Sequence, residues 1–75
     1  MTLFQKLWHR LTGRRPEPHW RPTHQHRKGG LYRLIGPAVY EDDRSDVVIY
    51  DDAEGTVWVR SATEFSDGRF TALND

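Results

Sequence analysis

Three runs decide the fold: Lys28-Gly29-Gly30-Leu31-Tyr32-Arg33-Leu34-Ile35-Gly36-Pro37, Asp46-Val47-Val48-Ile49-Tyr50 and Thr56-Val57-Trp58-Val59-Arg60. Each holds a short apolar segment rich in Val, Ile, Tyr or Trp, bordered by Gly, Pro or Asp. Strands of a small antiparallel sheet have this pattern. In the third run Val57 and Val59 alternate with Trp58 and Arg60, which separates two faces of one strand. The spacing predicts five strands: Leu31–Ile35, Ala38–Tyr40, Asp46–Tyr50, Thr56–Arg60 and Arg69–Leu73. Pro37 cannot donate a ladder hydrogen bond, so it marks an edge or a bend between the first two. Glu41–Ser45 is a polar turn, and Asp51–Gly55 is a hairpin loop in which Gly55 supplies the positive φ. Ser61–Phe65 reads as one helical turn, capped by Ser61 with Glu64 in the capping-box position. Ser66-Asp67-Gly68 then returns the chain to its last strand. The expected fold is mainly β: a small five-stranded antiparallel SH3-like barrel or curled sheet, with an N-terminal amphipathic helix.

Outward from this body, residues 1–13 form the helix. Leu3, Phe4, Leu7, Trp8 and Leu11 recur at helical spacing on one face, opposite Gln5, Lys6, His9 and Arg10. Thr2 suits an N-cap and Gly13 a left-handed stop. A helix this short docks on something. Its own sheet, a second copy, a partner groove and a membrane surface all fit, with the membrane the weakest of these. Residues 14–28 form a basic connecting arm in which Pro16, Pro18 and Pro22 favour extended backbone. Trp20 in such an arm is expected to fold back onto the body. Residues 29–75 make the barrel domain.

Seventy-five residues allow one small core, and the absence of cysteine removes any disulfide or thiolate ligand. Three Trp, three Tyr and three Phe must therefore carry the packing. No apolar run reaches the length of a membrane span, and a cysteine-free chain suits a reducing compartment, so a cytoplasmic location is expected. The net charge of zero hides a polarity. Up to Arg33 there are eight basic residues against Glu17 alone, and from Leu34 onward three basic residues against ten acids. Such asymmetry marks an interaction arm on an acidic body, or two halves that neutralise each other in the fold.

Catalytic signatures are missing. His19, His24 and His26 lack the rigid spacing of metal ligands, and Arg27 and Lys28 beside them would repel a cation. No metal or cofactor is expected. The acids of the two loops lack the ligand spacing of a calcium loop. Lys28-Gly29-Gly30 lacks the Gly-rich run and following helix of a phosphate loop. No catalytic residue is assigned. Nucleic-acid binding is better supported, because Arg14, Arg15, Arg21, Arg27, Lys28 and Arg33 are interleaved with His19, Trp20, His24 and Tyr32.

His26, Lys28-Gly29-Gly30, Tyr32, Gly36, Ala38, Val47–Tyr50, Trp58-Val59-Arg60, Phe65 and Arg69-Phe70 together resemble the bacterial domain-of-unknown-function family 1653. The chain departs from that pattern at Ser61, where proline is usual, and in a shorter loop between Tyr50 and Trp58. The resemblance implies a compact, mostly β fold in bacteria or their phages, and brings no activity with it. The leading expectation is a non-enzymatic protein-binding module, such as a phage or mobile-element accessory factor, with the Trp8 face meeting a protein partner or a second copy. A nucleic-acid-binding barrel using the basic arm is the alternative, and a small enzyme the third reading. The expected partner-binding residues are Phe4, Trp8, Arg14, Arg15, Trp20, Arg21, Tyr32, Trp58 and Arg60.

Overall fold

The computed structural model describes residues 17–73. Its elements are β1 (His24–His26), β2 (Leu31–Val39), β3 (Asp46–Asp51), β4 (Val57–Ser61), the short helix α1 (Ala62–Glu64), a π-helical turn (Phe65–Arg69) and β5 (Phe70–Ala72). The strands form one antiparallel sheet in the order β4-β3-β2-β1-β5. The sheet is open, with β4 and β5 at its edges, so the expected barrel closure is corrected to a five-stranded sheet. The helix expected over residues 1–13, with Phe4 and Trp8, lies outside the described residues, as do Arg14 and Arg15 of the arm.

The strands expected on either side of Pro37 are one strand. The register shifts between Leu34 and Gly36, so Ile35 is accommodated as a bulge and pairing with β3 resumes through Gly36–Val39. Beyond Leu34, β2 has β3 on one side only, and the missing N–H of Pro37 faces no obligatory partner. A second difference lies in the basic arm. His24-Gln25-His26 is inserted between β2 and β5, pairing His24 with Tyr32 and Ala72, and His26 with Phe70. The turn that joins β1 to β2 needs Gly29, whose φ is 104°. Lys28-Gly29-Gly30, expected to join the arm to the first strand, is therefore part of a hairpin turn.

Local signals elsewhere match their expected roles. Gly55 has φ 88° in the β3–β4 loop. Asp52 Oδ1 accepts the N–H of Glu54 and of Thr56, fixing that loop from inside. Ser61 Oγ accepts the Glu64 N–H at 3.2 Å and starts α1. Gly68, at φ 101°, turns the chain into β5.

Residues directly paired across strands share a face, and alternate residues along a strand share it too. One face thus carries Tyr32 and Leu34 from β2, Tyr50 from β3, Trp58 and Arg60 from β4, with Phe70 and the two β1 histidines. Here the rings make the core. Tyr32 meets Tyr50 edge-on at 5.3 Å, Tyr50 meets Phe70 at 5.4 Å, and Phe65 stacks on Phe70 at 4.5 Å. Phe65 reaches this cluster because α1 and the π-helical turn carry it there. Among the described residues the buried hydrophobic side chains are Tyr50, on this face, and Val47, which alternation along β3 puts on the other.

The other face carries Arg33 opposite Asp51. Asp51 is 1% exposed, yet it is matched on every side. Arg33 Nε donates to Asp51 Oδ1 at 3.1 Å and Arg33 Nη2 to Oδ2 at 2.6 Å, a two-pronged pair. Trp20 Nε1 donates to Asp51 Oδ1 at 2.9 Å. The same guanidinium holds both oxygens of Glu17, at 2.9 and 3.1 Å. Trp20 does fold back, and this network ties the arm to the sheet.

Candidate functional site

A cleft of about 380 Å³ opens where the β1–β2 turn, β4 and the entry to β5 converge. Its charged side chains are Arg27 and Lys28 from the turn, Arg60 from β4 and Arg69 from the π-helical turn. Its aromatic wall is His26, Tyr32, Tyr50 and Phe70. No carboxylate among the described residues lines it. A hydrogen bond from the Arg27 N–H to the Arg69 carbonyl, at 2.8 Å, joins the two segments that supply most of the charge.

The sequence places each of these groups for a local reason. Gly29 takes the left-handed conformation that reverses the chain, leaving Arg27 and Lys28 exposed on the turn. Gly30 permits a close approach, since a Cβ there would lie 2.9 Å from Cε2 of Tyr32. The Tyr32 ring can therefore lie against the backbone as one wall. Arg60 is held from below and from the side. Its Nε donates to the Tyr50 hydroxyl at 3.2 Å, and its guanidinium carbon sits 5.5 Å from the centre of the Phe70 ring. The hydrogen bond to Tyr50 raises the Arg60 pKa above its usual value; partial desolvation works against it, and the carboxylates of Glu64 and Asp67 add a smaller push in the same upward direction.

His26 is the titrating group at the cleft. Its Nδ1 accepts the Lys28 N–H at 3.1 Å, and its ring stands edge-on to Phe70 at 4.9 Å. Desolvation lowers its pKa from 6.5, and the charges of Arg60, Arg27, Lys28 and Arg69 lower it further. Four cations around a ring that resists protonation define an environment that favours anions.

The expected site residues divide between the two faces. Tyr32 and Arg60 line the cleft, with Tyr50 between them. Trp58 pairs with Tyr50 but lies beyond the lining, 45% exposed, with its Nε1 donating to Asp52 Oδ2 at 3.0 Å. Trp20 belongs to the opposite network and to a second cleft, of about 360 Å³, bordered by Leu31, Asp52 and Glu54 and sharing Tyr32 with the first. Arg21 is exposed and lines neither cleft. Sequence reasoning placed Arg27 and Lys28 on a linear arm and left Arg69 and Phe70 without a role. One signal pointed to them: every residue of the cleft except Arg27 is among those that carry the family resemblance.

A family model described as Protein of unknown function (DUF1653) matches residues 22–70, which spans β1 through the first residue of β5. No curated protein and no solved structure matches the chain.

Proposed function

This chain belongs to the DUF1653 family of proteins of unknown function, and since that membership brings no activity, we propose from the cleft itself that it is a non-enzymatic binding module for single-stranded nucleic acid. The observation that carries this reading is the meeting of Arg27, Lys28, Arg60 and Arg69 over an aromatic wall, with no carboxylate among the described residues in the lining. Cationic grooves bordered by rings engage phosphates and bases together, largely without regard to sequence. The half-exposed Tyr32 and the exposed Trp58, on the same face, extend the surface along the sheet. The lining supplies hydrogen-bond donors and rings but pairs no general base with a nucleophile, which favours binding over turnover. A cytoplasmic setting belongs to the same reading.

Fluorescence anisotropy with a labelled oligothymidylate of about 12 nucleotides tests it. Binding is expected at about 50 mM salt, weakening on a log–log slope of about −0.7 per phosphate engaged. Absence of binding at that salt, or binding that ignores salt, overturns the reading.

A protein partner is the second reading, and one observation favours it. Leu34 and Trp58 flank Tyr50 on the cleft-bearing face and are 40% and 45% exposed, a short apolar row of the sort protein interfaces cover. Salt-insensitive association that is lost in Trp58→Ala would select it.

A further inference from the structure

The four cations of the cleft are not equivalent. Arg60 Nη1 and Arg69 Nη1 each lie 3.5 Å from Glu64 Oε1, and Arg69 Nε lies 3.0 Å from Asp67 Oδ2. Two carboxylates on α1 and the π-helical turn thus offset these two guanidiniums from outside the lining. Arg27 and Lys28 meet no carboxylate among the described residues. Two full positive charges are left unmatched at one lip of the cleft.

His26 adds direction. With Nδ1 accepting the Lys28 N–H, the proton of the neutral ring sits on Nε2, which makes that nitrogen a donor on a ring that lines the same cleft. An internal phosphodiester carries one negative charge, whereas a phosphate monoester carries about 1.5 to 2 at neutral pH and presents three acceptor oxygens. The unmatched charge and the added donor correspond to the second group. The cleft volume, about 380 Å³, lies in the range that encloses a single small ligand.

We propose that the cleft is a terminal-phosphate site, in which Arg27 and Lys28 match the charge of a phosphomonoester at the end of a nucleotide strand and His26 orients it. This narrows the strand-binding reading above, on which it rests, to the end of the strand. Arg60 and Arg69, braced by Glu64 and Asp67, then hold the sugar-phosphate that follows.

The test uses the full chain and three oligothymidylates of equal length: 5′-phosphorylated, 3′-phosphorylated and unphosphorylated. Each is labelled at an end that leaves the phosphate free. One phosphorylated strand is expected to bind at least about tenfold tighter than the unphosphorylated one, the advantage that charge-assisted hydrogen bonds confer. Lys28→Ala and Arg27→Ala, both on an exposed turn, should each erase that advantage, and inorganic phosphate should compete for it. Equal, salt-dependent affinity for all three strands overturns the terminal-phosphate site and leaves strand binding standing. If no strand binds, thymidine monophosphate and inorganic phosphate are titrated while the amides of Lys28 and Gly30 are followed by NMR. Saturable shifts there support the phosphate site without the strand, and their absence overturns both.

Discussion

Two assemblies of arginine and aromatic residues lie on opposite faces of this sheet and use similar groups to opposite effect. Around Asp51, the guanidinium of Arg33 is shared between Asp51 and Glu17, and the Trp20 indole donates to the same carboxylate. At the cleft, Arg27 and Lys28 stand beside rings with no acid to meet them among the described residues. Adjacent residues of β2 serve both, with Arg33 facing one side and Tyr32 the other. Charge matched within the chain holds the fold together. Charge left unmatched near an aromatic, poorly solvated wall adds little stability and is available to a partner.

The sharpest way to break this contrast is Asp51→Ala. It leaves the Arg33 guanidinium and the Trp20 N–H facing an empty position, and removing one partner of a buried pair costs several kcal/mol. Arg33 is 26% exposed, so water recovers part of that cost. A loss of about 3 kcal/mol is expected in urea unfolding. A loss below about 1 kcal/mol would show the network to be an ordinary surface pair. Trp20→Phe keeps most of the ring and removes one hydrogen bond to a carboxylate, so it should cost about 1.5 kcal/mol by the same measurement.

The cleft predicts the reverse. Changing Arg27 and Lys28 together to Ala should move stability by no more than about 0.5 kcal/mol, since both side chains are exposed and unpaired among the described residues. The same double variant should lose oligonucleotide binding. If it unfolds as readily as Asp51→Ala, the two faces do not differ in kind.

How far this division could be read from the chain depended on how local each signal is. The β3 and β4 runs, the Gly55 loop and the Ser61 cap announce themselves within a few residues, because alternation, positive φ and capping are short-range demands. Trp20 was legible as a residue that folds back, although its acceptor, Asp51, was not. β1 was illegible. His-Gln-His has no apolar alternation, and its strand state comes from pairing with Tyr32 on one side and Phe70–Ala72 on the other. The open sheet was equally hidden, because strand periodicity does not reveal which edges meet. The cleft combines both failures. Tyr32 and Arg60 were singled out on their own strands, but Arg27, Lys28 and Arg69 join them only once the β1–β2 turn is bonded to the entry of β5.

The smallest effect expected comes from the burial of His26 together with the field of those cations on its ring. Desolvation, and after it Arg60, Arg27, Lys28 and Arg69, hold the His26 pKa below 6.5 in the folded chain. In the unfolded chain the imidazole takes its proton near pH 6.5. As the pH falls through that value, the unfolded state binds more protons than the folded one, so stability falls with it. The contribution is complete above pH 6.5 and is lost progressively below. His26→Gln can still accept the Lys28 N–H but does not titrate, while the other three histidines, His9, His19 and His24, remain in both proteins. The fall in urea midpoint between about pH 7.5 and about pH 5.5 should therefore be shallower in the variant than in the parent. Parallel slopes in parent and variant would mean that the charge at the cleft does not reach His26, and that the two faces differ in pairing but not in potential.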